Sequence, residues 1–203
     1  LRPTHQHKGH KIMIKFDATK LAAVSIAQSD EATRYYLCGV YFEGSLAVAT
    51  DGHILTVAND ESQANESGIY PVSKKARTVM KKKEASLVTI EGDVLKVLTD
   101  NETVLHMEPC KEIDGSFPDW RRVVPDNDGD PTTAAFSTIV TAKLVETAKT
   151  VTGLKTTSFR MTGTEATTGH LVTYNHSDCI SVAMPMKSNN TPVIPAWLAP
   201  ASV

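Results

Sequence analysis

At 203 residues, 41% hydrophobic and 22% charged, the chain has a globular composition and enough length for one good core or two modest ones. Its net charge of −2 excludes a generally basic nucleic-acid binder but leaves a local basic face open. No apolar run nears the roughly 18 residues of a membrane span, and three scattered cysteines (Cys38, Cys110, Cys179) without a CxxC pair argue against a zinc site or disulfide framework and point to a reducing cytoplasm.

Leu1 to Ile12 is polar, lacks a secretory core and carries His5, His7 and His10; it reads as a disordered leader, with Met13 opening the folded part. From there one order of elements recurs: strand, helix, then two or three strands. The first unit is a strand over Met13–Phe16, a helix over Ala18–Gln28 capped by Asp17, and a meander. Its strands are Leu37–Phe42, Leu46–Thr50 and Ile54–Ala58, parted by turns at Glu43-Gly44-Ser45 and Asp51-Gly52. Asn59 to Ser67 reads as a polar loop. The second unit has a short Gly68–Pro71 strand, a helix over Val72–Lys83 with Ser73 as its cap, and strands Leu87–Ile90, Val94–Thr99 and Val104–Pro109. Phe117 to Pro125 and the acidic run Asp126–Asp130 read as a linker. The third unit is a strand near Ala134–Val140, a helix over Thr141–Val151 ending towards Gly153, and strands near Thr157–Met161, His170–Tyr174 and Cys179–Met184. Beyond it, Pro192, Pro195 and Pro200 argue for an extended tail carrying Ile194, Trp197 and Leu198. The predicted class is α+β, built from repeated strand-helix-strand units.

The Val72–Lys83 helix is the physical argument for a nucleic-acid face. Val72, Ala76, Val79 and Met80 make one apolar stripe, with Lys74, Lys75, Lys81 and Lys82 opposite and Arg77 and Lys83 at the margins. Such a face draws phosphates by charge without reading bases, although a solvated lysine face has the same pattern. Catalytic chemistry finds little support. Asp51 and His53 could serve a small hydrolase, but no nucleophile elbow, metal-ligand spacing or carboxylate cluster accompanies them, so no enzyme, metal or cofactor is expected.

Three stretches stand together in one order: Arg34-Tyr-Tyr-Leu-Cys-Gly with Ala49-Thr-Asp-Gly-His-Ile-Leu55, Asp114-Gly-Ser-Phe-Pro-Asp-Trp-Arg-Arg-Val-Val-Pro125, and Ile180-Ser-Val-Ala-Met-Pro-Met186. They closely resemble the bacterial sliding clamp, the β subunit of the replicative DNA polymerase, over roughly Met13 to Met186. The resemblance implies a DNA-clamp fold with antiparallel sheets outside and helices on the inner face. It divides the chain into a leader (1–12), a domain like the clamp's middle one (13–124), a linker (125–132), half of a domain like its last one (133–187) and a tail (188–203). The family's first domain and the first half of its third find no counterpart, which makes the chain resemble a truncated clamp.

The implied role is a processivity factor that holds a DNA polymerase or repair partner on duplex DNA, with a non-encircling adaptor or decoy as the alternative. The implied DNA contacts are Arg34, Tyr35 and Tyr36, joining Lys74, Lys75, Arg77, Lys81 and Lys82. The implied partner-peptide groove gathers Leu37, Thr50, Gly52, His53, Leu55, Pro118, Arg122, Val123, Val182, Met184, Pro185 and Met186. Ile54 stands where the family usually has arginine. A homo-oligomer is expected, but three units leave one unpaired. Two copies joining third units across a two-fold axis, or a third unit packed on the first domain, are both open.

Overall fold

Each helix begins on a side chain chosen for that task. The computed structural model describes residues 13–125, 134–154, 157–163 and 167–186. In it, Asp17 Oδ1 accepts from the Lys20 N–H at 2.8 Å and opens α1 (Ala18–Ser25). Ser73 Oγ accepts from Ala76 N at 3.0 Å and opens α2 (Lys74–Met80). Ser137 does the same for α3 (Thr138–Thr152), which stops at Gly153 in the left-handed region, φ 66°. The strands are β1 (Met13–Asp17), β2 (Val40–Gly44), β3 (Leu46–Thr50), β4 (Ile54–Asn59), β5 (Asn65–Tyr70), β6 (Leu87–Glu91), β7 (Val94–Leu98), β8 (Val104–Pro109), β9 (Phe159–Thr162), β10 (His170–Tyr174) and β11 (His176–Ala183).

The strands form two antiparallel sheets, one of four in the order β1-β6-β7-β8 and one of seven in the order β5-β2-β3-β4-β11-β10-β9. The first and second units exchange their leading strands: β1 pairs with β6 of the second unit, and β5 pairs with β2 of the first. The two exchanged strands lie side by side, where Lys15 N donates to Asn65 Oδ1 at 2.8 Å. The third unit adds its strands to the first unit's sheet through the β4–β11 ladder, Ile54↔Ala183 to Ala58↔Cys179. All three helices lie on one side, with α1 between α2 and α3.

Between helices and sheets runs a shared core in which Phe16, Leu21, Phe42, Met80, Ile90 and Leu144 are fully buried. Phe16 and Tyr70 both lean on Phe42, with ring centroids 5.8 and 6.1 Å away. Each side chain of this size contributes about 1.5–3 kcal/mol on burial. A second, smaller cluster of Val48, Leu55, Val57, Leu171 and Val182 lies on the helix-free face of the larger sheet, covered by Phe117, Trp120 and Val124.

The expected order of elements holds, with local differences. Ala32–Leu37 is a 3-10 segment, so the β2 strand starts at Val40 rather than Leu37. The polar loop yields at Asn65, where β5 begins. The second helix is shorter than Val72–Lys83, and the third starts at Thr138 in place of a strand near Ala134–Val140. Of that strand only an isolated bridge, Ala135↔Met186, is present. The leader, the acidic run Asp126–Asp130 and the proline-bearing tail lie outside the described residues.

Candidate peptide pocket and basic helix face

The loop between β3 and β4 is a tight hydrogen-bonded turn. Thr50 Oγ1 donates to the Ile54 carbonyl at 2.8 Å and accepts from Gly52 N at 3.0 Å, while Asp51 Oδ1 accepts from His53 N and Ile54 N. Gly52 has φ 91°, which favours glycine, and a Cβ there would push against the flexible end of Arg34, at 2.7 Å from Nη1. Arg34 is held over this turn by Glu31, at 2.9 Å from Nε and 2.7 Å from Nη2. Asp51 Oδ2 reaches across to Lys143 of α3 at 2.7 Å. Burial pushes the Asp51 pKa up, but the Lys143 ammonium and the two backbone N–H groups prevail and hold it below the usual carboxylate range.

Against this turn the β11 strand continues to Met184, whose N–H donates to the His53 carbonyl at 2.9 Å. Register places Val182 opposite Leu55, so both face away from the helices. The segment after Gly115 crosses the same face, pinned by Phe117 stacking on Tyr41 at 5.0 Å and by Arg121 bonding Glu43 at 2.9 Å. The result is an apolar pocket of about 330 Å³ at the β4–β11 seam.

Of the twelve residues expected in a peptide groove, Leu37, Thr50, Gly52, Leu55, Pro118, Val123, Val182 and Met184 line this pocket. Arg122 lies in an adjoining cleft that shares Val123 and Met184. His53 contributes its backbone to the seam while its residue is exposed. Pro185 and Met186 lie past the rim, and Met186 N donates to the Ala135 carbonyl at 2.7 Å. The pocket also takes Ile54, Asp119 and Trp120, which sequence reasoning did not place there. The available signal for the last two was their place directly after Pro118, at the start of the 3-10 turn Trp120–Val123, where residues three apart share a face and Trp120 and Val123 reach the same wall.

The residues expected on DNA divide between two places. Arg34 and Tyr36 line the apolar pocket, and Tyr35 is 53% exposed beside it, edge-on to Tyr36. Lys74 and Lys81 are on the helix face, each in an ion pair: Lys74 with Asp30 at 3.0 Å and Lys81 with Glu146 at 2.6 Å. Arg77 turns inward, donating to Ser25 Oγ at 3.0 Å and to the Ser25 carbonyl at 2.8 Å at the end of α1. Burial lowers its pKa from the usual arginine value, against the raising influence of Glu146 and Asp30. Lys75 and Lys82 remain exposed, and Lys82 joins Lys81, Lys83 and Lys149 around a cleft of about 770 Å³ between the ends of α2 and α3. Asp51, the proposed partner of a catalytic His53, bonds the turn backbone and Lys143 instead.

No protein-family model matches the chain. It is 33% identical over 117 residues to a β sliding clamp of Haemophilus influenzae, an alignment covering 53% of this chain and 31% of that protein. It is 32% identical over 146 residues to a β sliding clamp of Caulobacter vibrioides, covering 66% and 39%. The chain therefore spans well under half the length of these relatives. A crystal structure of a DNA polymerase sliding clamp from Pseudomonas aeruginosa superposes with a TM-score of 0.63 at 18% identity, covering 92% of this chain and 70% of that one. One from Bacillus subtilis gives 0.60 at 17% identity, covering 93% and 67%. Among the described residues no helix is long and apolar enough to cross a membrane. The chain has the DNA-clamp fold and is a relative of the bacterial β sliding clamps.

Proposed function

We propose that the chain works as a sliding-clamp-like processivity factor, holding a polymerase or repair protein on duplex DNA through a short apolar peptide bound in the β4–β11 pocket. The pocket at that seam carries this reading. Leucine, valine and methionine side chains give an adaptable apolar groove, and Arg34 at its rim, held by Glu31 through Nε and Nη2, can turn its Nη1 to a carbonyl of the guest. No catalytic residue is needed, because tethering works by raising local concentration. Fluorescence anisotropy with a labelled leucine- and phenylalanine-containing peptide tests it. Leu37→Lys or Met184→Lys should weaken binding roughly a hundredfold, since each buries an unpaired charge in the groove. Equal affinity in wild type and both variants would overturn the reading.

The adaptor alternative draws on a different observation. Lys81 is paired with Glu146, Lys74 meets Asp30 in an exposed pair, and Arg77 is engaged inside, which places acidic groups on the face that would meet phosphates. Retention on circular duplex DNA separates the two readings.

A further inference from the structure

We propose that residues 193–198 of this chain seat in the β4–β11 pocket of the same molecule, as a built-in competitor of the guest peptide. The inference rests on the peptide-binding role proposed above for that pocket.

The last described stretch of the chain runs along the pocket. Val182 and Met184 line it, and Met184 also borders the adjoining cleft with Arg122 and Val123. Two residues on, Met186 is 53% exposed. Residues 187–203 continue from that point and lie outside the described residues. From Met186 to Ile194 an extended chain spans up to roughly 26 Å. Residues 193–198 can therefore return over the pocket with reach to spare.

The chemistry of that segment matches the pocket. Val193, Ile194, Trp197 and Leu198 are aliphatic or aromatic, and no charged side chain occurs between Ser188 and Val203. No ionic group would have to be desolvated against Leu37, Leu55, Val182 and Met184. The polar groups are complementary too. Trp120 Nε1 is buried with no hydrogen-bond partner among the described residues, and Glu31 holds Arg34 through Nε and Nη2, which leaves Nη1 to donate at the rim. Both are donors. A segment bearing Pro192 and Pro195 keeps its carbonyl acceptors while carrying fewer N–H groups, and its prolines limit the freedom lost on docking. Linkage supplies the rest. At an effective concentration of about 1 mM, a segment whose own Kd is about 0.1 mM would fill roughly nine pockets in ten. The tail of a second copy lacks that linkage, so the same molecule provides the occupant.

Fluorine NMR of the full chain labelled with fluorotryptophan tests the proposal. Trp120 and Trp197 give two resonances, which Trp197→Phe tells apart. The Trp197 resonance should be shielded from solvent at every protein concentration, and should move to its exposed position with Leu37→Lys. Ile194→Asp with Leu198→Asp should bind the labelled leucine- and phenylalanine-containing peptide about tenfold more tightly than wild type. A solvent-exposed Trp197 that Leu37→Lys does not shift would overturn the inference, as would equal, measurable peptide affinities. Shielding that grows with protein concentration would hand the pocket to another copy's tail and overturn it as well. Absence of peptide binding to both proteins would instead remove the proposed function, and Leu37-dependent shielding of Trp197 would still place the segment in the pocket.

Discussion

Asp51 ties the β3–β4 turn to α3, so its ionisation bears on stability. Its folded pKa lies below the ordinary 3.8. A depressed carboxylate adds stability that is fully present above the unfolded value and disappears as pH falls through the folded one. In urea melts, Asp51→Asn should therefore be destabilised by a constant amount above about pH 5, with the gap to wild type closing below about pH 4. A gap independent of pH would mean that the Lys143 contact contributes nothing through charge. The thiols offer a second check. Burial pushes the Cys110 and Cys179 thiols up to about 12, while Cys38 is half-buried with a smaller rise from the same cause. At about pH 8, alkylation should modify Cys38 first and reach the other two only on unfolding. Reaction of Cys179 in the native protein would contradict its burial under α1 and α3. Residue identity alone foretold little of this. Arg77 and Lys74 stand three apart on one helix, and sequence spacing cannot say that Arg77 would curl back to the Ser25 carbonyl.

The elements were more legible where chemistry is local. Asp17 and Ser73 were recognisable caps because a short acceptor before a helical run satisfies N–H groups only a few residues away. Ser73→Ala should cost about 1 kcal/mol, and its hydroxyl bond to Glu108 at 2.7 Å makes that a lower bound. Gly153→Ala should cost about as much, because φ 66° is strained for any residue with a Cβ. Thermal melts of either at wild-type stability would discount these ends. The reading erred where strand-like composition competes with local hydrogen bonding. Leu37 to Gly39 was assigned to a strand, yet the chain turns there as Arg34 anchors to Glu31 and Cys38 N closes on the Tyr35 carbonyl, and β2 starts only at Val40. Ile139 and Val140 look equally strand-like, but the Ser137 cap draws them into α3. On the basic face, Lys75→Glu with Lys82→Glu should lower duplex retention more than Lys74→Glu with Lys81→Glu, whose cations are already matched. The reverse order, in retention assays at low salt, would mean that the ion pairs open on DNA.

On the scale of the molecule, one core runs across the boundary between the first and third units. Thr56 and Ser181 bond at 2.8 Å across the β4–β11 seam, buried, and Tyr174 donates to the same serine at 2.8 Å. Lys20 reaches Asp178 at 3.0 Å and Lys143 reaches Asp51 at 2.7 Å across the same boundary. Calorimetry should accordingly show a single unfolding transition, and a separate early event for residues 134–186 would refute a shared core. Sequence could foresee three units and most of the pocket residues, because the motifs that resembled a known family carry them. It could not foresee how the third unit seats, which depends on register between strands far apart in the chain.

The position of the pocket on that seam has a further effect. Leu37, Thr50 and Leu55 come from the first unit, and Val182 and Met184 from the third, so neither side holds a groove alone. On the proposed function, a guest peptide would span the joint like a splint, and a molecule whose third unit had come away would offer it nothing to grip. Recruitment would thereby be restricted to fully assembled molecules, the proposed docking site doubling as an inspection of the joint on which it sits.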